Sequence, residues 1–299
     1  MNSERIGFVG LGTIGVPMAM KILQAGYALS VFNRSPDKAE PFIALGVSVA
    51  QSAMELAQNC DIVFLCVSNT AAVESVVFGQ DGIVQGGRPG MLLVDLSTIH
   101  PVATQEMAKR LSIGHEIGWV DAPVSGGPDG ARAGTLAVMA GGSAGNVERA
   151  RPVLMSFAGH LTHMGPVGNG MATKICNQML SFGAGAVAAE TLNLAARFGI
   201  DPSLILEAVS GGFADSNVLR HYGPHIVNGT YSGSGVTGMK DLDIGLDMAQ
   251  STGSPIPITS LVASFFRMVL AQGFSTGGLV TPMRLYAQGP LHPIEAKEP

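Results

Sequence analysis

The stretch Gly10-Leu11-Gly12-Thr13-Ile14-Gly15 limits what this chain can fold into more than any other part of it. It follows the apolar run Ile6-Gly7-Phe8-Val9 and leads into residues 16–25, where apolar side chains recur at helical spacing until Gly26. A second strand pattern, Ala28-Leu29-Ser30-Val31-Phe32, ends at Asn33-Arg34-Ser35-Pro36. Strand, glycine turn, helix and strand in about 30 residues make a βαβ unit. At this spacing Gly10 permits the tight turn, Gly12 lets a pyrophosphate approach the backbone, and Gly15 lets the helix pack closely on the strand. The helix N-terminus then offers free N–H groups to the phosphates. Such a turn can also bind nothing, but the flanking strand and helix favour a dinucleotide site with contacts from Gly10, Leu11, Gly12, Thr13, Ile14 and Gly15.

The end of the second strand bears on which dinucleotide is held. An NAD enzyme usually places Asp or Glu there to bond the ribose hydroxyls. This chain has Asn33, Arg34 and Ser35. Without the carboxylate a 2′-phosphate is not repelled, and the guanidinium fork of Arg34 can pair with it. NADP is therefore expected in preference to NAD, with NAD possible.

The alternation continues. Residues 53–59 read as a helix and Asp61-Ile62-Val63-Phe64-Leu65-Cys66-Val67 as a buried strand. Further strands are read at residues 92–96, 118–122, 136–140 and 161–164. In an open parallel sheet, ligands collect beyond the carboxyl ends of the strands. Val67-Ser68, Ser97-Thr98 and Ser125-Gly126-Gly127 all lie at such ends and together outline one crevice. From residue 171 to 198 the chain reads as one long helix, rich in alanine, with Gly183 and Gly185 placed to let another helix approach. After Gly165 no strand pattern appears. Gly211-Gly212-Phe213 and residues 221–238 read as loops, and residues 290–299 as a loose tail. The expected fold is α/β: a Rossmann-type dinucleotide-binding domain over residues 1–165 and an all-α substrate and dimerisation domain over residues 166–299.

The totals narrow the class. With 299 residues, 46% hydrophobic and 13% charged, the chain can bury a large core without metals or disulfides. A net charge of −5 and no basic face argue against a nucleic-acid partner. Cys60, Cys66 and Cys176 lie far apart with no CxxC and read as buried thiols in a reducing compartment. No signal-peptide pattern precedes the first strand, and no apolar run is read as reaching the ~18 residues of a membrane span. The expectation is a soluble cytoplasmic protein. Among histidines, His160 and His163 fall on a strand-like segment that points them to opposite faces. Gly223-Pro224 separates His221 from His225 and is read as excluding regular helix. No metal site is expected.

Lys174 sits at the seam between the two halves, in the first turns of the long helix. The helix dipole disfavours a cation there, and the apolar neighbours Met171, Ala172, Ile175 and Cys176 partly desolvate it. Both effects favour release of its proton near neutral pH. On helical spacing, Asn177 and Gln178 lie three and four residues on, beside it. The long glycine and alanine helix is hard to bury in one chain, so a homodimer or homotetramer is expected.

Several separated motifs, in order, resemble those of the β-hydroxyacid dehydrogenases, the group that includes 3-hydroxyisobutyrate dehydrogenase, tartronate semialdehyde reductase and the glyoxylate/succinic semialdehyde reductases. They are Gly10 to Ala19, Asp95-Leu96-Ser97-Thr98, Asp121-Ala122-Pro123-Val124-Ser125-Gly126-Gly127, Gly130-Ala131, Ala133-Gly134-Thr135-Leu136, Gly165 to Gln178, and Lys240-Asp241-Leu242. The resemblance implies an NAD(P)-dependent oxidoreductase interconverting a small 3-hydroxy acid and its semialdehyde. It implies that Lys174 donates a proton to the carbonyl oxygen and that Ser125, Gly126 and Gly127 hold the substrate carboxylate. Val67, Ser68, Thr98 and Lys240 resemble cofactor contacts. Where many members have two asparagines after the lysine, this chain has Asn177-Gln178, and either can be the substrate contact. An imine reductase shares the two-domain plan but often replaces the lysine. A non-catalytic dinucleotide-binding module would be expected to lose the lysine or the serine-glycine loop.

Overall fold

The computed structural model describes residues 4–230, 233–286 and 289–292. The chain divides into two compact units, Met1–Lys174 and Ile175–Pro299. In the first, β1 (Arg5–Val9), α1 (Gly15–Gln24), β2 (Ala28–Phe32), α2 (Glu40–Ile43), β3 (Ser48–Val49), α3 (Ala53–Asn59), β4 (Ile62–Leu65), α4 (Thr70–Phe78), α5 (Ile83–Gly86), β5 (Leu92–Asp95), α6 (Pro101–His115) and β6 (Gly118–Asp121) alternate. They are followed by β7 (Val124–Ser125), α7 (Gly127–Ala133), β8 (Leu136–Gly142), α8 (Ala144–Leu154) and β9 (Ala158–His163). Helix α9 (Asn169–Arg197) starts in the first unit and continues into the second. The second unit also holds α10 (Pro202–Ala208), α11 (Asn217–Val227), α12 (Gly235–Thr252), α13 (Pro257–Ala271) and a 3-10 segment, Gly278–Leu285.

Strands β3-β2-β1-β4-β5-β6 lie side by side and parallel. β4 and β5 are buried along their whole length, as strands covered on both faces must be. Successive residues point to opposite faces. Phe8, Phe64 and Val94 pack with Met18 and Ile22 of α1, while Val63, Leu65 and Leu93 pack with Leu56, Val73 and Leu111. The strand order reverses at β1, which has β2 on one side and β4 on the other. Such a switch point is where open α/β sheets leave room for a ligand.

Several expectations change. The sheet is not wholly parallel: β8 pairs antiparallel with β6 and β7, and parallel with β9. The two-residue strands β3 and β7 are too short to carry a period of their own. Residues 221–238 are not loop, because most fall in α11 and α12. Pro224 lies inside α11, near its C-terminal end. A cap from Ser216 Oγ to the Leu219 N–H starts that helix. Gly223 packs so closely on Leu206 that a Cβ there would lie 2.6 Å from that side chain. Burial of this face outweighs the hydrogen bond that proline forfeits.

Leu291, read as part of a loose tail, is buried and donates its N–H to the Val227 carbonyl at 2.8 Å; residues 293–299 lie outside the described residues. Helix α9 has an 18-residue window of mean hydropathy 1.2, enough by length and composition to cross a membrane. Within the second unit its Ala188, Ala189, Leu192 and Ala196 join one core with Ile226, Val280 and Met283. Phe182 meets Phe266 edge to face at 5.3 Å in another. Gly183 faces open space, and Gly185 abuts the Leu279 carbonyl of the 3-10 segment rather than a helix.

Candidate active site

The glycine turn has the shape its spacing predicts. Gly10 has φ +99°, and a Cβ there would lie 2.1 Å from the Cys66 carbonyl oxygen. A Cβ on Gly15 would lie 1.9 Å from the Gly10 carbonyl oxygen. A Cβ on Gly12, by contrast, would meet no protein atom within 4 Å. Two glycines are thus needed for the protein's own packing, and the middle one leaves the backbone bare where a ligand can approach. Helix α1 starts here without a side-chain cap, so its first N–H groups remain as phosphate donors. These residues fit a dinucleotide pyrophosphate.

Asn33 serves this turn from the end of β2. Its Oδ1 accepts the Leu11 N–H at 2.9 Å and its Nδ2 donates to the Ser35 carbonyl at 2.9 Å. The carboxamide is therefore committed to bracing the loop. Arg34 is exposed, and its guanidinium has no hydrogen bond or ion pair among the described residues. A cleft of about 680 Å³ opens beside Gly12 and Thr13, with Lys21, Asp37, Lys38 and Arg132 on its walls.

At the neighbouring strand ends, Val67 donates its N–H to Ser97 Oγ at 2.9 Å. Ser97 donates its own N–H to Asp95 Oδ1 at 2.9 Å. Asp95 and Ser97 are buried and hold the turn that carries Val67 and exposed Ser68. Thr98 follows, half-buried. The Val67 side chain lies 3.3 Å from the Cβ position of Gly10, which places this turn against the glycine loop.

Ser125 is on β7, paired with Ala137. Gly126 and Gly127 have φ +132° and +64°, backbone that side chains oppose. Four residues before Ser125, the carboxylate of Asp121 is fully buried. Its Oδ1 accepts the Gly168 N–H and its Oδ2 the Met171 N–H, each at 2.8 Å. Burial pushes this carboxyl up to about 6, against the opposing pull of the backbone N–H groups. Lys174, three residues beyond Met171, is only 7% exposed.

The family described as the NAD binding domain of 6-phosphogluconate dehydrogenase matches residues 5–165. That described as the NAD-binding of NADP-dependent 3-hydroxyisobutyrate dehydrogenase matches residues 168–286. Human mitochondrial 3-hydroxyisobutyrate dehydrogenase is 35% identical over 279 residues, covering 90% of this chain and 83% of the human one. The chain belongs to the 3-hydroxyisobutyrate dehydrogenase family. Escherichia coli 2-hydroxy-3-oxopropionate reductase is 33% identical over 275 residues, 91% of this chain and 93% of that protein. The crystal structure of a 3-hydroxyisobutyrate dehydrogenase from Salmonella typhimurium superposes with a TM-score of 0.86 at 30% identity, covering 94% of this chain and 99% of that one. As a member of the 3-hydroxyisobutyrate dehydrogenase family the protein is an NAD(P)-binding oxidoreductase, with a Rossmann-type domain followed by a helical one, and its substrate class is the family's small hydroxy acids.

In this 3-hydroxyisobutyrate dehydrogenase homologue the second unit gathers its own polar cluster. Asn177 Nδ2 donates to Gln178 Oε1 at 3.0 Å, and Gln178 Nε2 donates to Asp241 Oδ2 at 2.6 Å. Lys240 Nζ lies 3.2 Å from Asp241 Oδ1. Asn177, Gln178 and Lys240 are therefore joined through Asp241, which the sequence reading gave no role. Asp95 and Asp121 were missed in the same way. For these carboxylates the signal was present: an acidic residue closing an apolar strand for Asp95 and Asp121, and one beside a lysine on a helix for Asp241.

Other expectations are corrected. Of the three cysteines Cys60 is buried, but Cys66 is half-buried and Cys176 exposed. Burial pushes the Cys60 thiol up to about 11 and Cys66 to about 12, which leaves little thiolate for chemistry at neutral pH. His221 and His225 share a face of α11 with ring centroids 5.9 Å apart. Among the described residues no three His, Cys, Asp or Glu side chains are grouped to hold a metal.

Proposed function

We propose that the protein is an NADP-preferring enzyme that interconverts a small 3-hydroxy acid and its semialdehyde, with Lys174 as the proton donor and acceptor. The observation that carries this reading is the buried Lys174, tied through Met171 and Asp121 to the strand end that leads into Ser125-Gly126-Gly127. The nicotinamide, when bound, supplies or accepts the hydride. The chain's own groups do the rest. Ser125 Oγ and the N–H groups of Gly126 and Gly127 receive the substrate carboxylate. Lys174 Nζ bonds the carbonyl oxygen, offsets the negative charge that grows there and hands over its proton; in the oxidative direction it takes the proton back. Gln178 is held between Asn177 and Asp241, and either Asn177 or Gln178 contacts substrate. Lys240 contacts the cofactor. Arg34 pairs with the 2′-phosphate, supported by its exposure and by the absence of a carboxylate at residues 33–35.

The test is a panel of tartronate semialdehyde, methylmalonate semialdehyde, succinic semialdehyde and glyoxylate with NADPH and NADH, followed at the nicotinamide absorbance. At least one should turn over faster with NADPH. Lys174→Ala should lower kcat by roughly a thousandfold or more while NADPH binding persists, and near-full activity in that variant would sink the assignment.

We also infer a homo-oligomer. Leu180, Val187, Leu194 and Phe198 are strongly exposed along α9 and its end, most at seven-residue intervals, an apolar stripe that a second copy can cover. Light scattering of the purified protein reads this directly.

A further inference from the structure

We propose that Asp121 is a positioning residue: its carboxylate clamps the first turn of α9 and so sets the height and rotation of Lys174, and its protonation loosens that clamp without unfolding the protein. The proposal rests on the reading of Lys174 as the proton carrier.

A helix begins with N–H groups that lack partners within it, and a local Ser, Thr, Asp or Asn usually supplies one. At the start of α9 the Asn169 side chain instead donates to the Met164 carbonyl at 2.9 Å. The acceptor comes from β6, 47 and 50 residues away in sequence, as the two oxygens of Asp121. The Gly170 N–H also favours its charged form, more weakly than those of Gly168 and Met171. Space for the carboxylate is kept by missing side chains: a Cβ on Gly141 would lie 2.6 Å from Oδ1, and one on Gly170 2.8 Å from Oδ2. A two-point bridge from a strand fixes how a helix end is turned as well as how near it lies. Gly170 and Met171 precede Lys174 by four and three residues, so they stand one turn below it on the same face. A shift of about 1 Å in a reacting group can cost roughly a hundredfold in rate.

Protonation changes the bridge. One oxygen still accepts, but the other becomes an O–H facing an N–H. Burial raises this carboxyl to about 6, within the range where activity is measured. The titratable groups on the surrounding elements are few. Asp95 on β5 is its register partner. His163 on β9 has Nε2 2.9 Å from the Gly142 oxygen and 3.0 Å from the Gly165 oxygen. Lys174 is one turn along α9. β8 presents glycines, and α6 presents neutral Gln105, bonded to Val167. The folded state holds the Asp121 proton more tightly than the unfolded chain does, so its protonation adds stability as pH falls from about 6 towards 4. Activity lost in that window through Asp121 is not lost to unfolding.

The experiment follows kcat against pH, with the aldehyde that turns over and saturating NADPH, alongside amide exchange at residues 168–171. In the wild type kcat should fall below about pH 6 while the Gly170 and Met171 amides exchange faster. Asp121→Asn should lower kcat at pH 8 by roughly tenfold to a hundredfold, leave KM for NADPH unchanged, abolish the acid limb and leave those amides fast at every pH. Wild-type kcat in Asp121→Asn, an acid limb that survives it, or slow pH-independent exchange in the wild type would each overturn the proposal. If Asp121→Asn does not fold, Gly141→Ala carries the test, since its methyl displaces the carboxylate: kcat at pH 8 should drop with NADPH binding retained, and unchanged kcat overturns the clamp. The amide exchange is read without turnover. A Lys174→Ala variant that stays active would remove the catalytic assignment and leave the exchange result standing, so the two failures are distinct.

Discussion

In the first unit Val67, Ser97 and Met171 are held through main-chain N–H groups that donate to Ser97, Asp95 and Asp121. In the second unit Asn177, Gln178, Asp241 and Lys240 are linked to one another through their side-chain ends. A main-chain anchor fixes a whole loop, because the backbone has few free dihedrals. A side-chain chain must order several rotamers at once, and removing one member leaves its neighbours short of partners. The first arrangement suits a cofactor cradle common to many substrates. The second concentrates sensitivity in single residues, which is where discrimination between substrates can be tuned.

The comparison can be broken most severely at the glycine turn. Gly15→Ala puts a methyl 1.9 Å from the Gly10 carbonyl oxygen, so the fold should lose about 3 kcal/mol or more, read in denaturant titrations. Gly12→Ala meets nothing in the protein; it should melt like the wild type yet bind NADPH more weakly in a fluorescence titration. Equal melting of the two variants would mean that backbone packing does not govern this turn.

In the second unit, Asp241→Ala should lower kcat/KM by roughly tenfold to a hundredfold and, through Lys240, weaken NADPH binding as well. Adding Gln178→Ala to it should cost much less than Gln178→Ala costs alone, since the chain is already cut. Additive losses in that cycle would show that the cluster does not act as one unit.

A milder effect is expected at Arg34. Arg34→Asp should reduce the NADP over NAD ratio of kcat/KM by about tenfold or more, and an unchanged ratio would remove Arg34 from cofactor choice.

The smallest effect contrasts two carboxylates of the first unit. Asp61 bonds Arg5 through its side chain and main chain and also pairs with Arg88, which holds its carboxyl down at about 2. Its contribution is present above the unfolded value near 3.8 and is lost as pH falls through about 2, the reverse of Asp121. Because the pair is partly exposed, Asp61→Asn should cost less than about 1 kcal/mol at neutral pH and nothing in strong acid, which melts at pH 7 and pH 2 compare.

Much of the first unit was legible because its signals are local. The glycine turn, the apolar strands β1, β2, β4 and β5, and the long helix α9 each follow from a few adjacent residues. What failed to show lacked a local signature. β8 takes its antiparallel direction from β6 and β7, not from its own composition. α11 survives Gly223-Pro224 because of what α10 presses against it.

The cofactor fold, the glycine turn and the lysine at the head of α9 could be read from local spacing, which dictates which atoms can share a turn. Only the tertiary structure decided what holds that lysine. Asp121 reads in the chain as the last residue of a strand. It becomes the cap of α9 because folding brings it to N–H groups 47 and 50 residues further on, a distance over which no local pattern carries information.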